Sequence, residues 1–274
     1  MAKQIDYVYE NPRSKLLFKL LVLNIKIKSD ILDQIYSLNI AHLFVVSGLH
    51  LSLILKLIDK IKFKHSMWYT RSFSLIFILF YGYLLDFNPG VLRVLINLIL
   101  TWIWKNNDLV SKLSLNGIIN TLICLPHAKS YVFYFSYGVL FIIFCLKTII
   151  NKRKIVYYLV TNLVVFIFTS LISWTIKAQL NILGIIYMQI FSAPILILHQ
   201  LLFFLGWIPK INIVFDLFLN LLFTSVTNIS QIDVFIKFQY INKNVWRALI
   251  LVVFSGLLII YKNQKKRYFY TNKS

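Results

Sequence analysis

YVFYFSYGVLFIIFCLKTII occupies residues 131–150, and after the basic interruption NKRK, IVYYLVTNLVVFIFTSLISWTI occupies residues 155–176. Each run is about the length an α-helix needs to cross ~30 Å of hydrocarbon at ~1.5 Å per residue. Neither alternates apolar and polar residues as a barrel strand does, and a helix satisfies its own backbone hydrogen bonds in lipid. The pair reads as two membrane-spanning helices joined by a cationic loop.

The same reading extends in both directions. Further spans are expected at about 38–58, 72–87, 91–104, 113–126, 182–206, 211–226 and 247–261, with a hairpin turn at Asn88-Pro89-Gly90. The fold class is all-α, a polytopic integral membrane helical bundle of about nine spans. Composition agrees: the 274 residues are 59% hydrophobic and only 14% charged, against about 25% charged in a soluble domain. Residues 1–30 form a polar N-terminal segment in which 16–29 read as an amphipathic stretch at the membrane interface, with Lys19, Lys26 and Lys28 towards water. Residues 31–262 form the membrane domain, and 263–274 a basic cytoplasmic tail. No cleaved signal peptide is expected in MAKQIDYVYENPRSK. Cys124 and Cys145 lie inside apolar runs and read as free thiols.

The net charge of +20 fits nucleic-acid binding and equally fits cationic cytoplasmic loops. Nine alternating crossings with the tail inside put Lys56, Lys60, Lys62, Lys64, Arg71, Lys105, Lys112, Lys147, Lys152, Arg153, Lys154, Lys210, Lys262, Lys265, Lys266, Arg267 and Lys273 in the cytoplasm. Only Lys129, Lys177, Lys237, Lys243 and Arg247 then lie outside, the asymmetry the positive-inside rule asks for in a multi-pass plasma-membrane protein. The six basic residues before the first span fall on the wrong side of this scheme, and removing one short span, 91–104 or 113–126, repairs it.

Chemistry concentrates in Ala41-His42-Leu43-Phe44-Val45-Val46-Ser47-Gly48-Leu49-His50. Two histidines and a serine in an apolar span are functional candidates because polar groups in hydrocarbon need partners. On one ideal helix His42, His50 and Ser47 fall at about 0°, 80° and 140°, a single polar face. The alternative is structural, with the histidines bonding neighbouring helices and Ser47-Gly48 making a small-residue helix contact.

HLFVVSGLHLSLI closely resembles the signature of the ComEC competence family, approximately H-L-x-x-[IV]-S-G-L-H-[VL]. FNPGVLRVLI resembles the family's later turn followed by leucine-arginine, which places Arg93 on the family arginine. Residues 113–140 resemble a further family stretch with Leu125-Pro126 in place of Asn-Pro, and around Met188 to Pro194 only Pro194 carries over. The resemblance spans roughly residues 16–262 and implies a channel taking single-stranded DNA into the cytoplasm, with His42, Ser47, Gly48, Leu49, His50 and Arg93 as pore or motif residues. Implied partners are single-stranded DNA, membrane lipid, a separate DNA receptor and a cytoplasmic ATPase motor or helicase, with a homo-oligomer left open. No P-loop is present to pull a strand.

Family members often add an OB-like and a metallo-β-lactamase-like domain, and neither is expected here. His65, His127 and His199 are scattered without an HxHxDH pattern, so no metal, cofactor or enzymatic activity is expected. Arg93 either meets phosphate, snorkels to the interface or pairs with Asp86. Two rival functions remain: an intramembrane serine protease with His50 activating Ser47, and a small-molecule or lipid transporter with a helix broken at Ser47-Gly48.

Overall fold

Local signals in the chain set where its helices begin. Asn11 accepts from the Arg13 amide at 3.0 Å with Pro12 in the first turn, and Asn88 accepts from the Gly90 and Val91 amides at 3.0 and 3.1 Å with Pro89 in the first turn. Ser130 accepts from the Phe133 amide at 3.2 Å. In each case a short polar side chain satisfies a donor that the helix itself leaves open, and in the first two proline occupies the position where its missing N–H costs nothing.

A computed structural model of the chain describes residues 8–9, 11–25, 29–44, 48–60, 67–104, 108–128, 130–150, 154–177, 179–232, 235–237, 245, 248 and 252–263. The helices are α1 (Pro12–Leu23), α2 (Asp30–Ser37), α3 (Ala41–Phe44), α4 (Gly48–Lys60), α5 (Met67–Leu84), α6 (Pro89–Ile103), α7 (Leu109–Ile123), α8 (Leu125–Ala128), α9 (Tyr131–Ile149), α10 (Lys154–Lys177), α11 (Gly184–Leu205), α12 (Asn212–Ile232) and α13 (Val252–Asn263). The described residues are helical except for an antiparallel ribbon of β1 (Gln179–Asn181) and β2 (Phe235–Lys237), in which Leu180 pairs with Ile236. The sequence reading holds no sign of that ribbon.

Among the described residues four helices are long and apolar enough to cross a membrane: α9, the first 19 residues of α10, α11 and α12, with mean hydropathies of 1.5 to 2.2. Between 22% and 28% of each such stretch is buried inside the protein, so most of its apolar surface faces outward. Ile155, Leu159, Leu163 and Ile167 line one such face of α10 at helical spacing. α6, α7 and α13 are apolar but shorter.

The expected span at about 38–58 is preceded by a sharp break. α2 ends at Ser37, Asn39 adopts φ 60°, and α3 starts afresh at Ala41. The left-handed residue breaks the helical path, and asparagine tolerates that conformation better than most residues. Residues 45–47 lie outside the described residues, so the single polar face drawn across His42, Ser47 and His50 does too.

The interior divides into packed groups. In the first, Leu17, Phe18, Leu21 and Val22 of α1 and Ile31 and Ile35 of α2 pack against Ile195, Leu202, Phe215 and Leu219 of α11 and α12. The stretch expected at the interface thus holds one helix whose apolar side meets protein. Tyr9 donates to the Gly206 carbonyl at 3.1 Å, and Asn212 Nδ2 donates to the Val8 carbonyl. A second group joins α4, α5 and α6 through Leu51, Ile78, Tyr81 and Val91. A third joins α9 and α10 through Ile142, Leu146 and Phe168, with Phe254 of α13 against it. Val110, Cys145 and Tyr261 close one end of α7, α9 and α13. Cys124 and Cys145 are free thiols, as read from the sequence.

Candidate functional site

The first turn of α4, Gly48 to His50, carries the motif residues that can be followed in space. Gly48 and His50 are two positions apart, so they point about 200° apart around the helix. Each side meets a different polar cluster.

On the Gly48 side lies Arg93 of α6. A β-carbon placed on Gly48 would stand 1.9 Å from Arg93 Nη2 and 2.8 Å from Cζ, so only glycine leaves room for the guanidinium to lie over this turn. Arg93 is 6% exposed; its Nη1 donates to the Ser136 carbonyl at 2.5 Å, and its Cζ lies 6.0 Å from the Tyr137 ring centroid. A network from α7 supports it. Asn116 Nδ2 donates to the Arg93 carbonyl at 2.8 Å, and Asn120 Nδ2 donates to the Pro89 carbonyl at 3.1 Å and to Tyr137 Oη at 2.9 Å. Tyr137 Oη donates in turn to Asn116 Oδ1 at 2.7 Å. Two asparagines one turn apart thus tie α6, α7 and α9 together, the role polar side chains take between helices in lipid.

Asp86 is not the partner of Arg93. It is exposed at φ 51° in the α5–α6 turn, and no ion pair to Arg93 is present among the described residues. A backbone carbonyl and an aromatic face hold the guanidinium instead, with no carboxylate counter-ion among the described residues.

On the His50 side lies α11. The rings of His50 and His199 stack at 4.2 Å between centroids, tilted 33°. Gln200 Nε2 donates to the His50 carbonyl at 3.1 Å and lies 3.5 Å from His199 Nδ1. His50 is 3% and His199 0% exposed. Among the described residues, His199 Nε2 and Gln200 Oε1 are buried without a hydrogen-bond partner. Sequence reasoning missed this pair, having set His199 aside as scattered; a histidine and a glutamine adjacent in an apolar run are the signal that would have flagged it.

Of the remaining motif residues, Ser47 lies outside the described residues. His42 sits in α3, which packs against α11, and Leu49 in α4; their side chains lie outside the described part as well. Among the described residues no three His, Cys, Asp or Glu side chains gather as a metal site would.

An all-helical bundle with four lipid-length apolar helices and buried polar clusters around one helix turn is a membrane protein. Residues 24–265 match the Competence protein family, and the chain belongs to it. It is similar to "Uncharacterized protein MG316" of Mycoplasma genitalium, 29% identical over 194 residues, 69% of this chain and 50% of that protein. It is also similar to "Uncharacterized protein MG316 homolog" of Mycoplasma pneumoniae, 25% identical over 177 residues, 64% of this chain and 47% of that protein. The chain spans about half the length of these curated relatives. No solved structure matches it.

Proposed function

We propose that the chain is the membrane channel through which one strand of DNA enters the cytoplasm. The observation that carries this reading is membership of the Competence protein family over residues 24–265, with the Ser47-Gly48-Leu49-His50 signature inside that match. A strand with one charge per nucleotide needs a hydrated path free of fixed negative charge. The chain has 29 Lys and Arg against 9 Asp and Glu, and none of those acids lies in α3, α6 or α11. The charge of Arg93, without an ion pair among the described residues, adds a positive field beside α4, and fields of this kind act over distance rather than by contact.

In this reading the protein crosses the plasma membrane several times and works as a conduit rather than an enzyme. It carries no motor, so a separate cytoplasmic ATPase or helicase pulls the strand and a separate receptor presents it. The test is a deletion strain assayed for two quantities. Surface-bound DNA is expected to persist while nuclease-protected DNA disappears. Unchanged protected uptake would remove the channel, and loss of surface binding as well would make the protein a receptor.

A further inference from the structure

The two sides of the α4 turn differ in what they leave unfinished. On the Arg93 side the charged group is held, and the atoms left over are the Ser136 hydroxyl and the Asn88 Nδ2, on different helices. On the α11 side the atoms left over, His199 Nε2 and Gln200 Oε1, belong to consecutive residues already bonded or stacked onto the motif turn. A buried imidazole nitrogen needs a partner in either tautomer, as does a buried amide oxygen, and each costs free energy if left dry. Lipid cannot supply those partners. Water can, where polar groups border a space between helices, and polar side chains inside membrane proteins characteristically face such water.

We propose that water enters the seam between α4 and α11 at His50, His199 and Gln200, and that the hydrated path for the strand follows this seam. Arg93, across the turn, acts as a brace that fixes α4 rather than as a contact to phosphate. The assignment of the strand to this seam rests on the channel reading; the hydration of the seam does not.

The test uses the full chain in liposomes with Cys124 and Cys145 replaced by alanine. His199→Cys and Gln200→Cys are compared with Leu202→Cys, which is 0% exposed, and with Ile197→Cys, which is 58% exposed towards lipid. The probe is a negatively charged, water-soluble methanethiosulfonate, which reacts only with the thiolate and so only where water reaches. Labelling at 199 and 200 at least about tenfold faster than at 197 and 202 is the expected result, since each pKa unit of thiol ionisation is worth that factor. Labelling at 199 and 200 as slow as at the two controls overturns the proposal. If His199→Cys does not yield a monodisperse protein, Gln200→Cys carries the test alone. Lost uptake on deletion together with inert cysteines keeps the channel and refutes this path for it. Labelled cysteines with unchanged uptake keep the hydrated seam and remove the DNA.

Discussion

At the scale of single residues, Gly48 and Tyr137 make the sharpest claims. Gly48→Ala drives a β-carbon into Arg93, and since the guanidinium is pinned on Ser136 the cost is expected at about 1–3 kcal/mol. Gly48→Leu should abolish uptake, whereas Ser47→Ala, which keeps a small side chain, should leave it largely intact at equal membrane levels. Collapse of uptake in Ser47→Ala instead would favour a nucleophile. Tyr137→Phe removes the hydroxyl between Asn116 and Asn120, and thermal unfolding in detergent should register a loss of about 0.5–2 kcal/mol. The importance of Gly48 was legible in the sequence; the reason was not. A small-residue pair suggests helix against helix, but what fills the space is an arginine from 45 positions along the chain, and no spacing rule reaches that far. His199 was hidden for the same cause: it stacks on a residue 149 positions away.

At the scale of elements, uninterrupted apolar runs were readable because a helix in lipid needs nothing from its neighbours to satisfy its backbone. Expected and observed limits agree closely for α9 through α11, and Asn88-Pro89-Gly90 became the capped start of α6. The break between α2 and α3 was not legible because hydropathy averages over Asn39, whose positive φ makes it. The β1–β2 ribbon was invisible because each strand is three residues long and its partner lies more than fifty residues away. Pro194 sits inside α11, where it withdraws one donor from the helix ladder, the usual origin of a helix kink. Pro194→Ala should straighten α11 and shift His199 and Gln200 relative to α4. The expected outcome is normal membrane abundance with reduced protected DNA uptake; uptake equal to the parent would show that the bend does not set this seam.

At the scale of the whole molecule, the contact of Val8 and Tyr9 with Asn212 and Gly206 decides a parity. If the 206–212 loop shares the side of the C-terminal tail, as the charge count expects, the N-terminal residues share that side as well. About nine crossings cannot satisfy this, because an odd number separates the two ends; an even number can, and it also gathers the basic N-terminus with the other cationic loops. Asn11→Cys and Lys210→Cys, in the background lacking native cysteines, should react with an impermeant thiol reagent only after the cells are opened. Labelling of Asn11→Cys in intact cells would restore the odd count. The same contact has a consequence in time. Tyr9 leaves the ribosome 197 residues ahead of Gly206, which at ~5–20 residues per second is a wait of roughly ten to forty seconds. Throughout that interval Phe18 and Leu21 of α1 lack the α11 and α12 part of their packing, so biogenesis depends on a temporary cover for that face, lipid or insertion machinery. A chain ending before Gly206 would leave that face of α1 uncovered and open to proteolysis.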